Sequence, residues 1–210
     1  MTERKNTAAQ VVHSNATLTS IVGIFLIGAF FGTLGDYFHM ISHTDGYLDP
    51  LFPLPTGQPF WVPFLFGFAI LSVSLNHPLA DHWADRYFQI KTPQTGSLPL
   101  ILVGCLALFF LYVASGFLPL ETGGSRDILL ALGALAIWGI FDRTAKGFIL
   151  ALATAIIGTA VEIALTHFGA FYYLPSVANF WGVPTWLPWL YFAVSTTIGN
   201  LGRFAFRRIA

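Results

Sequence analysis

Three residues near the end of the first apolar stretch could act together: Asp36, His39 and His43 stand at i, i+3 and i+7. On a helix this spacing puts a carboxylate and two imidazoles on one face. Glu162 and His167 lie in the corresponding half of a later apolar stretch. Carboxylate and imidazole groups together can hold zinc or a similar ion, so these five residues define one candidate chemistry, a metal-dependent membrane hydrolase. The plainer alternative is that Asp and His at a membrane boundary are simply hydrated. Glu162 is the most informative single acid, about five residues or ~8 Å inside its helix end. An ionisable group at that depth faces protein or a water-filled cavity. It would there touch a lipid headgroup or another small ligand, or else hydrogen-bond to a neighbouring helix.

Hydroxyl and amide side chains form a second candidate set. Ser72, Ser74 and Asn76 give one apolar stretch a polar streak, and Ser195, Thr196, Thr197 and Asn200 do the same for the last. Such residues act either as glue between helices or as the lining of a cavity. Ser72, Asn76, Glu162, Ser195 and Thr196 are the candidate ligand contacts. Gly28 and Gly32, at GxxxG spacing, and Gly35 make a small-residue face suited to close helix packing and self-association. Cys105, the lone cysteine, sits in an apolar run and is expected to be structural. There is no phosphate-binding loop, G-x-S-x-G elbow, arginine-studded helix or selectivity filter, and no cofactor is implied.

The elements that must position these residues are membrane helices. Of 210 residues, 55% are hydrophobic and only 10% charged, against about a quarter charged in a soluble domain. Mean hydropathy is +0.69. Lipid must be the solvent for most of this surface. The formal net charge is zero, so bulk charge points to no nucleic-acid partner. Six spans are predicted, at 18–38, 60–79, 98–118, 127–141, 147–167 and 186–206, in one all-α membrane domain over 18–206. A polar segment over 1–17 precedes it and a basic tail over 207–210 follows it. With six spans, nine of the ten basic residues fall on one side and only Arg126 on the other. By the positive-inside rule both termini are then cytoplasmic. Trp61-Val62-Pro63 and Trp186-Leu187-Pro188 open two spans alike. This fits either duplicated hairpins or a favourable interfacial helix start.

Trp61-Val62-Pro63, then Trp138 with Phe141-Asp142-Arg143 and Gly147-Phe148, then Trp186-Leu187-Pro188, then Gly199-Asn200-Leu201-Gly202-Arg203 are four short motifs that together resemble the Insig family, the oxysterol-responsive membrane proteins of the endoplasmic reticulum. Trp61-Val62-Pro63 is similar to its W-V-P. Trp138, Phe141-Asp142-Arg143 and Gly147-Phe148 are similar to its W-x-x-F-D-R-S-x-S-G-F. Trp186-Leu187-Pro188 matches W-L-P, and Gly199-Asn200-Leu201-Gly202-Arg203 matches G-N-I-G-R. The motifs occur in the family's order over spans two to six. Thr144-Ala145-Lys146 replaces the family's S-x-S, and Phe64-Leu65-Phe66-Gly67 replaces its cysteine-rich patch.

The resemblance implies six helices around a lipid- or sterol-sized pocket with Trp138 near it, and no enzymatic activity. It also implies that Asp142, with Arg143, engages a membrane-protein partner from a cytoplasmic loop. The chain looks like a prokaryotic relative, which would put it in the inner or plasma membrane; a eukaryotic one would lie in the endoplasmic reticulum. The expected function is a lipid- or sterol-binding sensor. Its ligand would be a mostly apolar amphiphile with a small uncharged head, of the diacylglycerol, sterol or isoprenoid-alcohol type. The spans carry no cation cluster to neutralise a phosphate. A homo-oligomer is expected from the small-residue faces. A ligand-free membrane scaffold is the remaining alternative.

Overall fold

Without water to satisfy backbone groups, a chain this apolar must bond its amides within each segment, and helices do so. The computed structural model describes residues 2–48, 51–88, 96–119 and 121–206, with side chains of the first helix from Leu18 onward. It contains α1 (Thr2–Ile41), β1 (Asp45–Gly46), α2 (Val62–Phe88), α3 (Leu98–Phe117), α4 (Ser125–Phe141), α5 (Ala145–His167), β2 (Tyr172–Tyr173) and α6 (Leu187–Phe206). All six predicted spans are helices. Of the polar segment expected over 1–17, residues 2–17 belong to α1 as helix backbone. Residues 207–210, the expected basic tail, lie outside the described residues.

Four helices are long and apolar enough to cross a membrane alone: the Leu18–Ile41 part of α1, Val62–Tyr87 of α2, α3 and α5. The other two differ for identifiable reasons. α4 has 17 residues, about 25 Å of rise. α6 is long enough but carries Ser195, Thr196, Thr197 and Asn200. It needs less apolar surface because it scarcely meets lipid. Twelve of its 20 residues are buried, and all five other helices pack against it.

α6 is therefore the central post of the bundle. α2 and α5 both lie along it while making little direct contact with each other. Thr196 and Thr197 donate to the carbonyls of Phe192 and Ala193 in their own helix, at 3.2 and 3.0 Å. Ser195 instead meets His77 of α2 at 2.9 Å and accepts from Thr154 of α5 at 3.0 Å. α2 runs through Pro78, which has no N–H for the Ser74 carbonyl. That carbonyl faces Gly202, where a Cβ would overlap the Ser74 backbone. Glycine thus lets α6 close on the kinkable turn of α2.

At the other end of the bundle, β1 and β2 pair antiparallel, Asp45 opposite Tyr173 and Gly46 opposite Tyr172. The ribbon is clipped by Leu174 donating to the Thr44 carbonyl at 3.0 Å. It ties the α1–α2 loop to the α5–α6 loop. Trp186 and Val183 are fully buried beneath it.

Candidate functional site

A cavity of about 130 Å³ lies on α6 between α2 and α5. Its two ends differ. Towards the ribbon it is lined by Asp36, Asp45, Glu162 and the tyrosines 47, 112 and 173; towards the bundle middle, by Ile70, Val73 and Val194. Ala69 and Val161, on the facing sides of α2 and α5, line it and are exposed. The slot therefore opens sideways, where those two helices make little contact.

Each acid is held differently. The two oxygens of Glu162 accept from the hydroxyls of Tyr173 and Tyr191, both at 2.6 Å. Asp36 Oδ2 accepts from Tyr47 at 3.0 Å and from the Gln58 amide at 2.5 Å. Gln58 is fully buried, and the same amide reaches the Thr33 carbonyl at 2.9 Å. Asp45 comes from the ribbon, and its Oδ1 has no hydrogen-bond partner among the described residues. Burial above all, then the charges of Asp36 and Glu162, push the Asp45 carboxyl well above its usual range. The Tyr47 and Tyr173 hydroxyls are likewise pushed up, mainly by burial.

His39 is buried, stacked on Tyr112 at 4.4 Å and edge-on to Trp186 at 5.7 Å. Its Nε2 lies 2.8 Å from Ser115 Oγ and 3.2 Å from the Tyr112 carbonyl. Its Nδ1 lies 3.8 Å from Asp45. The types Asp, His and Ser suggest a hydrolytic triad, but the hydrogens run the wrong way. The Ser115 hydroxyl donates to the Tyr112 carbonyl at 2.6 Å, and a carbonyl beside Nε2 requires that nitrogen to carry its own hydrogen. His39 therefore cannot take the serine proton, and Ser115 is fully buried.

The structure does not gather the five residues of the metal-centre alternative. Asp36 and Glu162 share the cavity, His39 turns to Ser115, and His43 and His167 are exposed. Among the described residues no group of three or more His, Cys, Asp or Glu is placed to hold a metal.

Of the ligand contacts read from the sequence, Glu162 alone lines the cavity. Ser72 and Asn76 point outward on α2. Ser195 and Thr196 are fully buried within the helix packing. Trp138 donates its indole N–H to the Thr144 carbonyl at 3.2 Å and packs on Phe148, bracing the α4–α5 turn. Asp45, Gln58, Tyr112 and Tyr191 join the site without a mark in the sequence pattern. Asp45 and Gln58 arrive from a loop, and no helical period could align them with Glu162.

Asp142, expected to face a partner, is turned inward at that end of the bundle. Arg203 donates to it at 3.0 Å and to Asp81 at 2.6 Å. Lys146 also meets Asp81, at 3.0 Å. The Asp142 Oδ1 accepts from the Thr144 amide at 3.0 Å and from the Thr144 hydroxyl. Its side chain is 2% exposed. Arg143 is exposed, with φ +63° and its Nε on the Gly139 carbonyl.

Fold and site together define a polytopic helical membrane protein with a lateral, acid-lined slot on a buried central helix. The chain belongs to the insulin-induced protein (INSIG) family, whose profile matches residues 19–206. It is 31% identical over 157 residues to the insulin-induced gene 1 protein of Danio rerio, covering 74% of this chain and 58% of that protein. It is 29% identical over 192 residues to the INSIG protein homolog of Mycolicibacterium vanbaalenii, covering 91% and 89%. The alignment thus spans less than two thirds of the fish protein and most of the bacterial one. A crystallised cross-linked trimer of the mycobacterial Insig homologue MvINS is similar with a TM-score of 0.77 at 29% identity, covering 91% of this chain and 96% of that one.

Proposed function

We propose that the slot between α2 and α5 holds one mostly apolar amphiphile of the diacylglycerol, sterol or isoprenoid-alcohol type, and that the protein is a non-enzymatic membrane lipid sensor. One observation carries this reading: the cavity is polar at the ribbon end, apolar at the bundle middle, and open sideways at Ala69 and Val161. An amphiphile entering from the bilayer would meet the same polarity order inside the slot. About 130 Å³ is close to the ~150 Å³ that holds a benzene-sized molecule in an engineered cavity. The head and first carbons would occupy it while the chains lie in the lateral opening.

Moving a chain from bilayer to slot changes little apolar exposure, so affinity must come from the head and from shape. With only carboxylates and hydroxyls at the polar end, a phosphate head is disfavoured. Glu162, held by two tyrosines, and Asp45 are the proposed head contacts. Any membrane-protein partner at the α4–α5 turn would read the exposed Arg143, with Asp142 shaping the turn from within. Self-association, as in the cross-linked trimer of MvINS, is proposed here too.

Native mass spectrometry of the detergent-purified protein, followed by lipid analysis, tests the reading. One lipid species retained at about one per chain is expected. Only a mixture matching the annular background would refute it.

A further inference from the structure

The polar end of the slot is an acid cluster with no Lys, Arg or His among its lining residues. Glu162 is satisfied by two tyrosine donors, and Asp36 accepts from Tyr47 and Gln58. Asp45 is not satisfied. It is 6% exposed, lines the cavity, and its Oδ1 has no donor among the described residues. It also cannot swing away easily, because its backbone is paired with Tyr173 in the ribbon. Asp36 and Glu162 lie close enough for their charges to act on it.

We propose that this end of the slot takes the protonated amine of a long-chain primary amine, with its N–H groups directed at Asp45 and its charge balancing the acid cluster. The inference rests on the reading of the slot as an amphiphile site and adds a primary ammonium to the hydroxyl heads that this end accepts. A hydroxyl brings one donor and no charge. An ammonium brings three donors and a positive charge; beside it the ionised form of Asp45 is favoured, so the proton that burial keeps on this carboxyl leaves to solvent on binding, and hydrogen bonds between ionised partners are about twice as strong as neutral ones. Away from bulk water that charge match is screened little. A bare metal ion is a poorer fit, since no group of three or more His, Cys, Asp or Glu among the described residues is placed to coordinate one. The apolar half at Ile70, Val73 and Val194 would take the alkyl chain.

The test titrates the full chain in a non-ionic detergent with dodecylamine, dodecanol and dodecyltrimethylammonium, and reads calorimetric affinity at pH 7. Dodecylamine is expected to bind at least ten-fold more tightly than dodecanol. Dodecyltrimethylammonium, which has the charge but no N–H, should fall well below dodecylamine. The preference should collapse in Asp45→Asn, weaken in Asp36→Asn, and persist in Asp85→Asn at the opposite end of the bundle. Equal affinities for amine and alcohol, or a preference unchanged in both Asp45→Asn and Asp36→Asn, would overturn the proposal. Dodecanol binding without an amine preference removes the ammonium head but leaves the amphiphile site standing. No binding by any of the three removes both.

Discussion

Asp45 shows most directly what burial does to a single side chain here. Its carboxyl is held well above the ordinary value of 3.8, by burial first and by Asp36 and Glu162 next. The folded protein thus keeps a proton that the unfolded chain gives up near pH ~4. A raised carboxyl of this kind contributes stability at low pH. That contribution is lost as pH rises from the unfolded value through the folded one. Asp45→Asn removes the ionisable group but keeps the shape. It is expected to melt at a higher temperature than the wild type at pH 7–8 in detergent, with the gap narrowing as the buffer is taken towards pH 5. A gap that widens on acidification would mean that Asp45 is ionised and paired in the folded state. This residue was not legible in the sequence. Asp45 precedes a glycine in a loop, and only pairing with Tyr172–Tyr173, more than a hundred residues away, swings it over the slot. Glu162 was legible, because an acid inside an apolar helix has few places to go.

At the scale of elements, two of the contacts between α2 and α6, beside the His77–Ser195 hydrogen bond, fail differently. The first is steric. A Cβ at Gly202 would overlap the backbone of Ser74, which cannot rotate aside. Gly202→Ala should therefore cost about 1–3 kcal/mol of stability by overpacking. Gly23→Ala in α1, with nothing within 4 Å of the added atom, should gain up to ~1 kcal/mol from helix propensity. Thermal unfolding of the two variants side by side checks this, and equal shifts would deny the close contact. The second contact is ionic. Arg203 joins Asp81 of α2 to Asp142 of the α4–α5 turn. Arg203→Met leaves buried Asp142 without its cation and Asp81 with Lys146 alone, and should cost about 3–5 kcal/mol. Asp142→Asn leaves Arg203 its Asp81 and should cost less, about 1.5–3 kcal/mol. The reverse order would show that Asp142, not Arg203, is the keystone of the network. Helix positions were almost fully legible, since a run of apolar residues long enough to span lipid is hard to mistake. The length of α2 was not. Its expected end at 79 follows Pro78, yet the helix continues to Phe88. A missing N–H is tolerated where another helix covers the freed carbonyl. The roles of the polar streaks were also not legible. Ser72 and Ser74 differ only in phase on α2, and only the position of α6 decides that Ser74 is buried while Ser72 is exposed.

For the whole molecule, the charge distribution bears on which face of the membrane the slot's polar end addresses. Ser20, near the start of the apolar part of α1, donates to the carbonyl of Ala205 near the end of α6. The two termini therefore lie at the same end of the bundle, as an even number of crossings requires. Arg203, Lys146 and Asp142 meet at that end, and Arg143 is exposed beside them. Arg126 is at the other, bonded to the carbonyls of Ser115 and Leu118. α1 adds to this asymmetry. Its 40 residues rise about 60 Å, roughly twice the thickness of the hydrocarbon core. With Leu18–Ile41 spanning, the sequence positions of Arg4 and Lys5 fall beyond the core on the Arg203 side. The positive-inside rule then predicts the Arg203 end in the cytoplasm and the ribbon with Asp45 on the far side. In intact cells, in a Cys105→Ala background, Ser176→Cys near the ribbon should react with a membrane-impermeant maleimide. Ala145→Cys at the other end should react only after the cells are broken. Both native positions are exposed, so lack of access cannot mimic the result. The opposite labelling pattern would invert the molecule. The head of the proposed amphiphile would then come from the cytoplasmic leaflet, and the proposed lipid signal would have to be made or flipped on that side.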